Sequence, residues 1–531
     1  MSTGFHLLAV VIIWSQRAQA ADILVATNTF GSHWLNLAKI AEALTSRGHI
    51  VTVVAPASEK SDLTTKWPSF RYETFGDPEK APLFIEVLKN TPPEIMFQVL
   101  TSITWLDSHM MMNEAATDDC QNMLSDIQLL RRLKNSHYNV VLTYPGMSCG
   151  SLVAQYLDLP LVCTLMFMPF VLVVFCCHVT EIQATGVPNP VSYIPTVMLG
   201  LTDQMTFLQR VKNTLVYFGL TIMGQVIAER GFDAIASRTI GSNFTIFSAL
   251  ARTDVWLYQT GVMFDYPKPT MPNMVSIAGY MADEAKPLSE DLDSFMQSSG
   301  DAGVVIVTFG NLITVMPAER AEMLAAAFSR LPQKVVWRNA GTPPPSLGPN
   351  TRIMEWLPQS DLLAHSKTKA FVSHCGYNSI SEAMYHGVPL VGMPLFADQH
   401  ENIARVVARG MAVTLDIHTV TSEEVYQAIT AVIFNPKYKE KAKRVSTILR
   451  DQPQPPMERA VWWIEHVIKH GGLPHLRSRA TELPFYQYYL LDVLALIVSV
   501  LAVILLAGWK CCLCACSRCK WGRNNIIKKT N

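Results

Sequence analysis

Short apolar runs rich in β-branched residues alternate with helical stretches, and this alternation constrains the fold more than any other feature of the sequence. The first series of runs comprises Ile23–Ala26, Ile50–Val54, Val140–Thr143 and Leu161–Thr164. A glycine turn at Gly31 and a helical stretch, Trp34–Ser46, separate the first two runs. Buried strands that alternate with helices form a doubly wound parallel sheet. We therefore predict one Rossmann-like domain over residues 21–285.

A second series follows the polar stretch Ala282–Ser299, which we interpret as a linker near residue 290. Its predicted strands are Val304–Thr308, Lys334–Trp337, Ala370–Ser373, Leu390–Met393 and Met411–Leu415. Pro317 predicts the start of one helix, and the capping-box pattern Thr421-x-x-Glu424 predicts the start of another. The fold class is therefore α/β with two Rossmann-like doubly wound domains, the second over residues 286–450. Ligands bind at the carboxyl ends of parallel strands, so we expect a substrate cleft between the domains.

Both ends of the chain have the features of targeting segments. Residues 1–20 hold a short apolar run that ends in Ala18-Gln19-Ala20, which predicts a cleaved signal peptide. Residues 488–509 predict one transmembrane helix, and residues 451–487 before it predict a C-terminal helix and a pre-membrane segment. Residues 510–531 are basic and contain no acid, which predicts a cytosolic tail. Lys528-Lys529 matches the dilysine pattern of retrieval, so we expect a single-pass type I protein of the endoplasmic reticulum membrane with lumenal domains.

The charge balance argues against a nucleic-acid partner, and the cysteines and paired acids predict neither a disulfide framework nor a metal site. The 43 Lys and Arg residues balance the 43 Asp and Glu residues, so no overall positive field attracts nucleic acid. Five of the eleven cysteines lie in the predicted tail, where acylation is plausible, and the other six do not predict a disulfide framework. The pair Asp291-x-Asp293 lies in the predicted linker as a solvated charge run, so no metal site is expected. The sequon Asn243-Phe244-Thr245 predicts glycosylation at Asn243.

The segment Trp356–Gln399 contains the side chains that indicate a ligand. A predicted strand ends at Ser373, a tight turn follows at His374-Cys375-Gly376, and a helix begins at Asn378. The backbone N–H groups and the dipole of such a helix N-terminus suit a diphosphate. The side chains expected to add contacts are His374, Asn378 and Ser379 for the diphosphate, Glu382 for both ribose hydroxyls, Asp398 and Gln399 for sugar hydroxyls, and Trp356 for a uracil ring.

A structural interpretation of the same residues stays open from the sequence. Ser379-x-x-Glu382 is also the pattern of a capping box, and Asp398 is suited to cap the helix that follows it. One strand–turn–helix is weak support for a ligand site. The ordered set of polar residues over the whole segment is stronger support.

This ordered set, which also contains Gln359, resembles the donor-binding signature of the UDP-glycosyltransferase superfamily, whose fold is of the GT-B type. Other stretches resemble its membrane-bound animal branch, the UDP-glucuronosyltransferases: Gly31-Ser32-His33-Trp34, Pro188-x-Pro190-x-Ser192-Tyr193-x-Pro195, Met271-Pro272-Asn273, Asp451-Gln452-Pro453 and Arg459–Glu465. The resemblance covers essentially the whole chain. It implies that the C-terminal domain binds a UDP-sugar, which is a co-substrate and not a cofactor, and that the N-terminal domain binds a small lipophilic acceptor.

The resemblance also implies the catalytic residues and two departures from the family pattern. His33 stands where the family has the base that takes the acceptor proton while the sugar inverts. The family's partner aspartate follows a threonine, and Tyr144 stands there in this chain, so we expect impaired O-glycosylation unless another carboxylate substitutes or the acceptor is an amine. Gln259 stands where glucuronate-using relatives have an arginine, and Asn311 replaces the commoner serine at the phosphate.

These observations predict a glucuronosyltransferase and leave three alternatives open. Because Gln259 is neutral, glucose or galactose stays open as the transferred sugar. A lipid glycosyltransferase would differ from the predicted enzyme only in its acceptor. Tyr144 favours a non-catalytic UDP-sugar-binding partner of active relatives. A homo-oligomer, or a hetero-oligomer with related transferases, is compatible with the sequence.

Overall fold

The computed structural model describes residues 20–82, 85–86, 90–102, 105–147, 149–166, 184–196, 199–261, 263–282 and 284–527. The predicted signal peptide and the dilysine pair therefore lie outside the described residues, apart from residue 20. The chain divides into two compact units, residues 1–477 and residues 478–531.

The first sheet of the larger unit has seven parallel strands. They are β1 (Asp22–Ala26), β2 (Ile50–Pro56), β3 (Arg71–Phe75), β4 (Val140–Thr143), β5 (Leu161–Leu165), β6 (Thr253–Tyr258) and β7 (Met274–Ser276). Their spatial order is β3-β2-β1-β4-β5-β6-β7. The strand order therefore reverses between β1 and β4, which is the topological switch point where doubly wound sheets bind ligands.

The second sheet has six parallel strands and repeats this plan. They are β8 (Val304–Thr308), β9 (Lys334–Arg338), β10 (Thr351–Met354), β11 (Thr368–Ser373), β12 (Leu390–Gly392) and β13 (Ala412–Thr414). Their order is β10-β9-β8-β11-β12-β13, so the switch point lies between β8 and β11. The predicted fold class, with two doubly wound sheets, is confirmed.

Helices connect the strands and cover both sheets. Among the described residues they are α1 (Gly31–Ser46), α2 (Lys60–Lys66), α3 (Pro93–Ser102), α4 (Trp105–Ser125), α5 (Ile127–Asn135), α6 (Gly150–Leu157), α7 (Phe207–Ala228), α8 (Ala234–Thr239), α9 (Ile246–Ala251), α10 (Glu290–Gln297), α11 (Ala318–Phe328), α12 (Gln359–Ala364), α13 (Tyr377–His386), α14 (Gln399–Ala408), α15 (Ser422–Phe434), α16 (Pro436–Arg450), α17 (Pro456–His470), α18 (Phe485–Tyr488) and α19 (Leu491–Ile527). The predicted capping box is present, because the Thr421 side chain accepts from the Glu424 N–H at the start of α15.

The stretch that we predicted to be a linker near residue 290 is partly a helix. Leu292 and Met296 of α10 are buried in the same core cluster as Val304 and Ile306 of β8. The many acids of this stretch lie on the outer face of the helix, so its composition hides an amphipathic pattern. The predicted domain boundaries themselves stay predictions.

The helix α17 packs against the first sheet although it follows the second in sequence. Its buried residues Ala460, Val461, Ile464 and Val467 join the core cluster that contains β1 and β2. Asp254 of β6 accepts a hydrogen bond from the Leu473 N–H (2.7 Å) just beyond this helix. The chain therefore returns to its N-terminal half before the second unit begins.

The second unit, residues 478–531, contains α18 and the long helix α19. Within the described residues, one helix is long and apolar enough to cross a membrane, and its apolar part is Leu491–Arg518. This segment overlaps the predicted transmembrane helix, residues 488–509. The helix continues into the predicted basic tail as far as Ile527.

Candidate active site

The turn after β11 exposes the backbone of a helix N-terminus at the switch point of the second sheet. Gly376 is the N-cap of α13 and has no side chain that could cap the first N–H groups. Cys375 has φ +69°, a left-handed conformation that is uncommon for a residue with a side chain. Its thiol is buried and lies 3.3 Å from the Ser373 carbonyl oxygen. The turn is thus held in a strained shape that leaves the first amides of α13 available to an anion.

His374 is enclosed by the backbone of two loops. A Cβ added to Gly310 or to Gly376 would lie 2.5 or 2.6 Å from His374 Nε2, so both positions need glycine. Burial lowers the pKa of His374 to about 4. The ring is therefore neutral near pH 7, so it does not bring a positive charge to the site. A hydrogen bond from His374 to a phosphate stays a prediction.

Replacing Gly310 by alanine is expected to destabilise the protein more than replacing Gly300. Both glycines have positive φ, +84° and +57°, so both variants carry the same kind of backbone strain. A Cβ at Gly300 meets open space, whereas a Cβ at Gly310 meets the His374 ring. We expect Gly310→Ala to lose about 1–3 kcal/mol more in denaturant unfolding than Gly300→Ala, and to weaken UDP binding. Equal losses would contradict the packing of His374 described above.

Arg338, at the end of β9, is a residue of this site that the sequence interpretation missed. Its guanidinium donates to Asn311 Oδ1 (2.6 Å) and to the Gly310 carbonyl oxygen (2.8 Å), and it lies 4.9 Å from the centre of the Trp356 ring. Trp356 is 65% exposed, so a ring face is open to a base. A cation therefore stands between the predicted phosphate contact, Asn311, and the predicted uracil platform. The signal was present in the sequence as a basic residue directly after an apolar strand.

The predicted ribose contact, Glu382, is fixed by a neighbouring amide. Gln359 Nε2 donates to Glu382 Oε2 (2.6 Å) and to Ser379 Oγ (3.2 Å). Ser379 is the third residue of α13 and not its N-cap, so the interpretation of Ser379-x-x-Glu382 as a capping box is wrong. The structure brings Gln359, Ser379 and Glu382 together, and their roles in binding stay predictions.

Asp398 and Gln399 lie where α14 begins, after a left-handed residue, Ala397 (φ +54°). Asp398 Oδ2 accepts from the Asn402 amide (2.5 Å), and burial raises the pKa of this carboxyl. Asp398 has no side-chain hydrogen bond that caps α14. Gln399 Oε1 accepts from the backbone N–H of Leu395 (2.8 Å), and the contacts of Asp398 and Gln399 with sugar hydroxyls stay predictions.

His33 and Tyr144 meet at the switch point of the first sheet. His33 lies in the first turn of α1, after β1, and Tyr144 directly follows β4. Their rings stack with centroids 4.1 Å apart and an interplanar angle of 24°. Tyr144 is buried, and its backbone N–H donates to Thr27 Oγ1 (3.3 Å). The phenol is therefore a packing partner of the imidazole face, and it brings no negative charge to it.

A small cavity lies beside the loop that leads from β1 to His33. It has a volume of about 20 Å³, enough for a water molecule, and its lining includes Thr27, Thr29, Glu59 and Asp119. The Thr29 hydroxyl donates to Glu59. Burial, together with the neighbouring carboxylates, raises the pKa of Asp119 to about 7. The carboxylates of Glu59 and Asp119 therefore lie near the loop that precedes His33.

Gln259, at the end of β6, is buried between the two sheets. Its side-chain oxygen accepts from Asn36 Nδ2 (3.0 Å), and its backbone oxygen accepts from the Tyr377 hydroxyl (2.6 Å). Gln259, which stands where glucuronate-using relatives have an arginine, is therefore part of a hydrogen-bonded contact that joins α1, the end of β6 and α13. Asn378, the second residue of α13, belongs to the same contact.

The sequence profile of one family, described as "UDP-glucoronosyl and UDP-glucosyl transferase", matches residues 21–524. The chain belongs to this family. The UDP-glucuronosyltransferase 2C1 of Oryctolagus cuniculus is 39% identical over 498 residues, which cover 92% of this chain and 98% of that protein. The UDP-glucuronosyltransferase 2B33 of Macaca mulatta is 38% identical over 521 residues, 96% of each chain. The resemblance to animal UDP-glucuronosyltransferases stated from the sequence is confirmed.

Solved structures share the fold at much lower sequence identity. The calicheamicin glycosyltransferase CalG4 has a TM-score of 0.57 and 16% identity, and the match covers 85% of this chain and 99% of that one. A variant of the Os79 protein of O. sativa, solved in complex with UDP, has a TM-score of 0.56 and 17% identity, with 84% and 100% covered. The two sheets of this chain are therefore arranged as in known GT-B glycosyltransferases.

Proposed function

We propose that the protein transfers glucuronic acid from UDP-glucuronate to small lipophilic acceptors, with inversion at the anomeric carbon. The observation that carries this proposal is the cluster around the His374–Gly376 turn, in a chain that belongs to the UDP-glycosyltransferase family. The proposed diphosphate site consists of the α13 backbone amides, Arg338 and His374. Trp356 and Glu382 are the proposed contacts of the nucleoside. His33 stands at the switch point of the other sheet.

These residues have two roles in the proposed reaction: one takes a proton from the acceptor, and the others stabilise the charge on the leaving UDP. The acceptor oxygen or nitrogen attacks the anomeric carbon and transfers its proton to the His33 imidazole, while the bond from that carbon to UDP breaks and its electron pair leaves with the β-phosphate. The α13 amides and Arg338 stabilise the charge that develops on the diphosphate. Tyr144 stacks on His33 without a negative charge, so the imidazolium product lacks the carboxylate support of a triad. An amine acceptor, which needs less help from a base, therefore fits this site better than a phenol.

The proposed location is the endoplasmic reticulum membrane, with the larger unit in the lumen and residues 510–531 in the cytosol. The apolar segment Leu491–Arg518 supports a single membrane span. Cys120 and Cys149 form a disulfide, with Cα atoms 5.5 Å apart, which the sequence interpretation did not foresee and which favours an oxidising compartment. Asn243 is exposed in a turn, which is the setting that glycosylation requires. Association with a second copy or with related transferases belongs to this proposal as well.

The test is a donor screen on membranes from cells that express this chain alone. UDP-glucuronate, UDP-glucose and UDP-galactose are each supplied with mixed amines, phenols and steroids, and membranes without the chain serve as control. We expect product from UDP-glucuronate, with more from amines than from phenols. Product from another UDP-sugar alone would contradict the proposed donor. UDP binding without any product would contradict the enzyme and would favour the non-catalytic partner.

A further inference from the structure

Three side-chain amides, on α1, after β6 and on α13, meet where the two halves of the larger unit contact each other. Asn36 Nδ2 donates to Gln259 Oε1 (3.0 Å) and to Asn378 Oδ1 (3.4 Å), and Asn378 Nδ2 donates back to Asn36 Oδ1 (3.1 Å). Asn36 and Asn378 therefore form a reciprocal amide pair, in which each side chain both donates and accepts. We call Asn36, Gln259 and Asn378 the amide cluster.

Asn36 and Gln259 of the amide cluster are buried, Asn378 is half-buried, and two tyrosine hydroxyls hold the cluster. Asn36 is 2% exposed and Gln259 is 3% exposed. The Tyr280 hydroxyl donates to the Asn36 backbone oxygen (3.0 Å), and the Tyr377 hydroxyl donates to the Gln259 backbone oxygen (2.6 Å). Buried amides are stable only when their hydrogen-bonding groups are paired, so this contact has one favourable arrangement. The contact therefore specifies how α1 is aligned with α13, and it adds little net stability to the protein.

The elements that meet here are those that carry the two halves of the proposed reaction. Asn36 lies three residues after His33 on α1, so the two side chains share a face of the helix. Asn378 lies in the first turn of α13, whose amides form the proposed diphosphate site. The reciprocal pair therefore joins the helix of the base directly to the helix of the donor.

We propose that Asn36 is a positioning residue that sets the distance between His33 and the sugar of the donor, and that Gln259 and Asn378 are its partners. The proposal rests on the proposed function for its catalytic consequence. Holding two reacting groups in a near-attack geometry contributes much of the rate, and small displacements reduce it strongly. Gln259 supports this pair in two ways: its side-chain oxygen holds the Asn36 amide, and its backbone oxygen accepts from Tyr377 of α13.

The test compares Asn36→Leu, which keeps the approximate volume and removes the amide, with Asn135→Leu, an exposed asparagine at the end of α5. In the full-length protein we expect Asn36→Leu to lower kcat about 10–100-fold while the Kd for UDP stays within about three-fold. Asn135→Leu should change neither. An unchanged kcat in Asn36→Leu, or a parallel loss of UDP binding, would overturn the proposal.

A second measurement separates this proposal from the proposed function. Amide hydrogen exchange in the peptide that covers Gly31–Ser46 is followed with and without UDP. We expect UDP to slow this exchange in the wild-type protein and to leave it unchanged in Asn36→Leu, because the amide cluster links α13 to α1. This outcome in a protein without transferase activity would uphold the link and reject the enzyme. Equal protection in both proteins would overturn the link whatever the activity.

Discussion

The His33→Gln protein is expected to transfer sugar about 10²–10⁴-fold more slowly than the wild-type protein while its affinity for UDP stays unchanged. An imidazole can act as a general base, and His33 is the histidine at the first switch point. Glutamine keeps much of the shape and polarity of histidine but does not act as a base. The diphosphate contacts belong to the other sheet, so UDP binding should not depend on His33. The measurement is kcat and KM with the best amine acceptor, together with the Kd for UDP.

The matched control for this variant is His137→Gln. His137 is an exposed histidine that follows α5 in the same half of the chain, and its replacement should leave the rate unchanged. A rate close to that of the wild-type protein in His33→Gln would show that another group takes the proton. An equal loss of UDP affinity would show that His33 supports the fold of the cleft and not the chemistry.

Tyr144→Asp is expected to raise the turnover of phenols by about 10²-fold or more, because a missing carboxylate partner reduces the rate of a histidine base by several powers of ten. The position is buried and directly against the His33 ring, which is where a carboxylate would stabilise the imidazolium. Amine turnover should rise less, since an amine acceptor depends less on the base. The ratio of phenol turnover to amine turnover is therefore the sensitive readout.

Tyr144→Asn separates the effect of charge from the effect of the space that the phenol ring leaves. Asparagine has the shape of aspartate without its charge, so we expect phenol turnover to stay low in this variant. If the two variants accelerate phenol transfer equally, the stacked tyrosine limits the rate by its bulk. If neither does, the account of Tyr144 as the cause of a weak base is wrong.

The regular parts of the fold could be predicted from the sequence because buried parallel strands are continuous apolar runs. Four strands were missed: β7 has only three residues, and the other three break that pattern for identifiable reasons. Edge strands β3 and β10 are only half-buried, so their sequences are mixed. Strand β6 contains Asp254, a buried acid whose partners, the N–H groups of Leu161 and Leu473 and the Arg477 guanidinium, come from distant parts of the chain.

The proximity of the proposed donor residues could be predicted because they follow successive strands of one sheet, and such positions converge at its carboxyl edge. The contacts between the sheets could not. Asn36 and Asn378 are 342 residues apart, and neither the pattern of α1 nor the predicted diphosphate role of Asn378 indicates that the two side chains pair. The return of α17 to the first sheet and the Cys120–Cys149 disulfide have the same cause, because pairing between distant segments leaves no local pattern.

The most direct test of the account is equilibrium binding of UDP to the purified full-length protein and to its Glu382→Ala variant. The account predicts that the wild-type protein retains UDP and that the variant binds it about ten-fold or more weakly, because the ribose hydroxyls lose a charged hydrogen-bond acceptor. Failure of the wild-type protein to retain any uridine nucleotide, or equal binding by both proteins, would contradict the assignment of the cleft at α13 as the donor site.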